Sequence, residues 1–113
     1  ENNWTLARIA TMNLTDEQFD RAFAELQEFG PRRGIPVEQR WRECLREVDP
    51  NEFPAIRARC DEIEGFALAL AEQVRDQQMT DEAARQQLAA KYPFLTRERL
   101  ARTWNQAMYF SMK

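Results

Sequence analysis

Apolar residues recur along most of the chain at three- and four-residue steps, the period of a helix with one buried face. Residues 1–14 are the exception: Trp4, Leu6, Ile9, Met12 and Leu14 fit neither helix nor strand cleanly, and read as a short helix or a docked arm. From Thr15 the pattern is clear. Thr15 is placed to cap, Asp16 and Glu17 suit the positive end of a helix, and Phe19, Ala22, Phe23 and Leu26 form one face. Phe29 closes the run, and Gly30-Pro31 opens a loop over 30–36. A second helix over 37–48 sets Val37, Trp41, Cys44, Leu45 and Val48 on one side, and Asp49-Pro50-Asn51 ends it. The third and longest is predicted over 52–78, with Asn51 as cap and Pro54 in the first turn, where a missing N–H costs little. Its seam, Ile56, Cys60, Ile63, Ala67, Leu70 and Val74, alternates steps of four and three, widened by Phe53 and Phe66. Gly65 interrupts this helix at a cost of about 1 kcal/mol, which points to a close helix crossing or a kink. A fourth helix follows Thr80, buries Ala84 and Leu88 and stops at Tyr92-Pro93; a fifth is capped by Thr96 and faces inward with Leu100, Trp104, Ala107 and Met108.

No segment reads as a strand. The expected fold is all-α: one domain over residues 1–113, an antiparallel bundle of four to five helices joined by short connections. Composition agrees, because 43% hydrophobic residues exclude disorder and 3 Gly with 5 Pro are too few for a turn-rich β protein. Mean hydropathy is −0.72, and no apolar run is long enough to cross a membrane.

Cys44 and Cys60 are equidistant from residue 52, the predicted turn between the second and third helices. In an antiparallel hairpin both would lie about 12 Å from the turn at 1.5 Å per residue. A disulfide between them is therefore expected to staple the hairpin; closing a loop of about 17 residues stabilises by about 3 kcal/mol in the chain-entropy model. The alternative is a pair of buried thiols acting as small hydrophobes. Two cysteines without histidine or a C-x-x-C pair support neither a structural zinc site nor a thioredoxin-like centre. The first residue is Glu1, which reads as the product of a leader cleavage or as a chosen boundary. With a disulfide, the expected compartment is periplasmic or secreted; with free thiols it is cytoplasmic.

Charge and candidate chemistry narrow the function classes. Histidine is absent, so no Ser–His or Cys–His nucleophile and no Glu-x-x-His di-iron set exists. Gly30, Gly34 and Gly65 are too scattered for a phosphate loop. Glu43 and Glu47, four apart on the second predicted helix, stand among Arg40, Arg42 and Arg46 and read as salt-bridged rather than catalytic. No catalytic residue, cofactor or metal is expected. All but Lys91 and Lys113 of the 16 basic residues are arginine, which fits a GC-rich bacterial source.

Net charge is −3, yet Arg85, Lys91, Arg97, Arg99, Arg102 and Lys113 face only Glu98 over residues 85–113, a basic end on an acidic body. The fourth helix, the turn Tyr92-Pro93-Phe94-Leu95-Thr96 and the fifth helix have the outline of a helix-turn-helix over residues 83–110, with Arg97, Arg99 and Arg102 early on its second helix. This stretch resembles the end of some small antitoxin-like domains, and no residue role is carried over from them. Glu62, Glu64, Glu72 and Asp76 mark the polar side of the third helix, and Glu72 with Asp76 offers a negative patch to a partner. The loop residues Arg32, Arg33 and Ile35 offer a second contact. Tyr109, Phe110 and Met112 make the C-terminal end unusually apolar, either docked on the core or kept for a partner.

The leading expectation is a non-catalytic protein-binding module of a bacterium, of the immunity-protein, secretion-pilotin or small-chaperone kind. Its partner would be another protein, a second copy of the chain included. DNA binding through residues 83–110 is the first alternative. Carriage of a hydrophobic ligand among Phe19, Phe23, Phe66 and Trp104 is the second.

Overall fold

The computed structural model describes residues 14–28 and 30–113. The N-terminal arm with Trp4, Leu6, Ile9 and Met12, and the helix-closing Phe29, lie outside the described residues. Five α-helices and no strand occur among the described residues: α1 Asp16–Leu26, α2 Val37–Cys44, α3 Phe53–Arg75, α4 Asp81–Lys91 and α5 Arg97–Ser111. Single turns of 3₁₀ helix, Pro31–Gly34 and Pro50–Glu52, precede α2 and α3. The all-α expectation holds. None of the helices is long and apolar enough to cross a membrane. The chain divides within α3, between Arg59 and Cys60, into two compact units.

In the first unit, α1 opens on a reciprocal capping box. The Gln18 N–H donates to Thr15 Oγ1 and the Thr15 N–H to Gln18 Oε1, both at 3.0 Å. Phe19, Ala22 and Phe23 then turn inward, with the two rings 5.9 Å apart. The indole of Trp41 on α2 donates to the Ala22 carbonyl at 2.9 Å and meets the Phe53 ring edge-on at 5.3 Å. One aromatic residue thereby binds α1, α2 and the start of α3.

Helix α2 ends at Cys44, four residues short of the expected Val48. The cause is tertiary. Arg21 Nη1, from α1, donates to the Cys44 carbonyl at 3.0 Å, while the Val48 N–H, which would serve that carbonyl in a longer helix, bonds the Leu45 carbonyl instead. Leu45 and Val48 are buried from a turn rather than from a helix. Glu47 thus leaves the helix and pairs with Arg21 and Gln18, while Glu43 pairs with Arg32.

This shortening overturns the expected disulfide. Cys44 terminates its helix, whereas Cys60 stands two turns inside α3, so the equal-height geometry of a symmetric hairpin is lost. Both cysteines are free thiols, Cys60 fully buried and Cys44 half-buried. Burial, and then the Glu25 carboxylate, push the Cys44 thiol above its ordinary pKa. Unreduced protein should therefore show two thiols per chain to Ellman's reagent once unfolded. In the native state Cys60 should be silent and Cys44 slow, and an unfolded chain with no reactive thiol would restore the disulfide. The case for an oxidising compartment rested on that bond and loses its support.

In α3 the predicted seam is realised: Ile56, Cys60, Ile63, Ala67 and Leu70 are buried, and Val74 is half-buried. Asp49, not Asn51, caps the entrance, accepting the Asn51 N–H at 2.9 Å. At Gly65 the structure shows no close crossing, since an added Cβ meets no atom within 4 Å and α3 runs through it unbroken. Gly65→Ala should accordingly raise the unfolding free energy by about 1 kcal/mol in a urea titration. The helix closes in a Schellman motif, with the Gln78 N–H on the Gln73 carbonyl and the Gln77 N–H on that of Val74. Gln77 holds a φ of 62°, a conformation that favours glycine. Gln77→Gly should stabilise by about 1 kcal/mol in the same assay, and a loss of stability would contradict this account of the helix end.

The second unit packs the C-terminal part of α3 with α4 and α5. Tyr92, the C-cap of α4, donates its hydroxyl to Glu62 at 3.0 Å and sets its ring edge-on to Phe66 at 5.8 Å. Arg75 Nη1 holds the Ser111 carbonyl at 2.7 Å, which ties the end of α3 to the end of α5. Thr96 caps α5 as predicted, and Thr80 caps α4 in the same way.

Candidate functional site

The five-residue connection after α4 forces α5 to turn back sharply. The Trp104 indole N–H then reaches Asp81 Oδ1 at 2.9 Å, so the middle of α5 meets the start of α4 and the two helices run antiparallel. Between them lies an open groove of about 650 Å³. Its floor is Leu88 and Trp104, both almost fully buried, with Leu100 half-buried beside them. The groove exists because the lips carry small residues: Ala89 on α4 and Ala101 on α5 leave room that longer side chains would fill. Along the lips, Asp81 and Glu82 stand at one end and Arg97 at the other. Asp81 is already engaged, by Trp104 and by Arg85 Nε at 2.7 Å. Glu82 and Arg97 are exposed, and neither has an ion-pair partner among the described residues.

A volume of this size falls in the range of small-molecule and peptide sites, and the mix of apolar floor and charged lips suits an amphipathic ligand. A smaller hollow of about 240 Å³ lies on the opposite side of α5, among Gly65, Leu68, Ala107 and Phe110. Beyond it Tyr109, Phe110 and Met112 are exposed, at 61%, 52% and 67%. The apolar C-terminal end is thus not docked on the core. Lys113 lies over the Tyr109 ring at 5.0 Å.

No protein-family model matches the chain, and no curated protein or solved structure matches it either.

The residues singled out in the sequence are distributed as follows. Arg32 is bound internally, to Glu25 at 3.3 Å and Glu43 at 3.2 Å; Arg33 is exposed, and Ile35 is half-buried, its carbonyl accepting from Arg40. Asp76 is clasped by Arg75 at 2.9 and 3.2 Å, which holds its carboxyl below the ordinary range, and Glu72 is exposed. Arg99 is buried at 5% exposure, while Arg97 and Arg102 are exposed about 140° apart around α5. The three do not form one cationic face. Phe19 and Phe23 belong to the first unit and Phe66 and Trp104 to the second. Among the described residues no group of His, Cys, Asp or Glu could hold a metal ion.

Sequence reasoning missed Arg40. It is buried, donating through Nε to the Ile35 carbonyl at 2.9 Å and through Nη1 to the Glu25 carbonyl and to Glu25 Oε1. The available signal was its position between Val37 and Trp41 on the apolar stripe of α2. It missed the groove as well, whose trace is Ala89 and Ala101 at lip positions.

Proposed function

We propose that the chain is a non-catalytic protein-binding module that works through the α4–α5 groove, in the general manner of immunity proteins, pilotins and small chaperones. The observation that carries this reading is the open, apolar-floored groove itself, with exposed and unpaired charges at its ends. Loop residues Arg32 and Ile35 and Asp76, in the turn after α3, serve the fold's own contacts, so the contact surface moves from them to the groove.

The test is site-specific photo-crosslinking in the producing cell. A crosslinking residue at Gln86, on the α4 lip, should give one discrete protein adduct. The same residue at the exposed Glu17 of α1 should not. Ala101→Arg, which fills the groove from an exposed position, should abolish the Gln86 adduct. Adducts that are equal at both sites, or unaffected by Ala101→Arg, would overturn the reading.

A further inference from the structure

The groove has a direction, and that direction specifies its occupant. From Arg97 to Asn105 the α5 lip runs about 12 Å, two turns of helix. A peptide helix of that length offers apolar side chains at i, i+4 and i+7, enough to cover Leu88, Leu100 and Trp104. The exposed cation Arg97 stands at the end near the α4–α5 turn, and the exposed anion Glu82 at the opposite end. A helix is itself polarised: acidic residues stabilise its first turn and basic residues its last.

We infer that the groove takes an amphipathic helix of another protein, acidic in its first turn and basic in its last, lying parallel to α5. This rests on the groove being the contact surface. In that orientation the partner's first-turn carboxylate meets Arg97 and its last-turn cation meets Glu82. The charges that stabilise the partner as a helix are then the same ones that align it. The reverse orientation sets like charge against like at both ends, which disfavours it.

The probe is a synthetic three-turn peptide with Glu in its first turn, Leu at i, i+4 and i+7, and Lys in its last turn, titrated into the ¹⁵N-labelled full chain at low salt. Binding should shift the Trp104 indole N–H and the amides of Ala89 and Ala101. A nitroxide on the peptide's N-terminus should broaden amides around Arg97 and spare those around Glu82. Arg97→Glu, which suits the first position of α5 and so preserves the fold, should weaken binding about tenfold. A peptide with Lys in its first turn should recover that loss.

Groove shifts with broadening at the Glu82 end, or affinity indifferent to Arg97→Glu, would overturn the inference and leave the groove reading standing. Absence of any shift at Trp104, Ala89 and Ala101 would overturn both.

Discussion

Replacing Trp41 by alanine should lower the unfolding free energy by about 3–5 kcal/mol, the range for removing a large aromatic from a packed core. The side chain is fully buried, so almost none of the lost volume was in water. Its indole N–H serves the Ala22 carbonyl of α1, and its ring meets Phe53 at the start of α3. Deletion therefore leaves a cavity where three segments converge and removes a buried hydrogen bond as well. Trp41→Phe separates the two effects: it keeps an aromatic ring and loses the donor, and should cost about 1–3 kcal/mol. Against a typical total of about 5–15 kcal/mol, the alanine variant should shift the urea midpoint well down with an unchanged m-value. A cost below about 1 kcal/mol for Trp41→Ala would mean that the first unit is not organised around this residue.

What the sequence made legible was local. Thr15 and Thr96 were readable as caps because a cap needs only a side-chain oxygen and an N–H three residues on. The seam of α3 was readable because periodicity is a property of the helix alone. The misreadings share a different origin. The end of α2 is decided by Arg21, more than twenty residues earlier, taking the Cys44 carbonyl. Nothing in residues 37–48 announces that, and the disulfide expectation fell with the helix that supported it.

Arginine was also read by type rather than by place. Arg40, Arg59 and Arg99 are all buried. Each sits three or four residues from buried positions: Arg40 from Val37, Arg59 from Ile56 and Ile63, Arg99 from Leu95 and Thr103. Their placement on the stripe outweighed their charge. This also changes the view of the basic C-terminal end, because Arg99 belongs to the interior while Arg97 and Arg102 diverge on the surface. The groove was hidden for a related reason. It depends on two small lip residues on facing helices, and facing is not a sequence property.

The second large effect is expected at Arg40. Its guanidinium is enclosed, with two backbone carbonyls and the Glu25 carboxylate as acceptors, the last at 3.2 Å. Arg40→Ala removes every donor at once and leaves the Ile35 and Glu25 carbonyls facing a cavity, at a cost of about 3–5 kcal/mol. Glu25→Ala should cost less, about 2–3 kcal/mol, because the buried cation keeps its carbonyl bonds. Glu25 also holds Arg32, but that pair is largely solvated on the arginine side, 43% exposed, and adds at most about 1 kcal/mol. The discriminating variant is the double replacement Glu25→Leu with Arg40→Met. It removes both charges together and fills the volume with apolar atoms, so no ion is left buried and uncompensated. It should be less destabilising than Arg40→Ala alone, and the cycle with the corresponding single variants should show a coupling of about 1–3 kcal/mol. Because Arg40 is shielded from solvent, that coupling should persist at high salt, where the exposed Arg21–Glu47 pair at 3.5 Å should contribute nothing measurable. Strict additivity of the two replacements, or a coupling that salt abolishes, would show that the guanidinium is solvated and that the turn before α2 is held by something else.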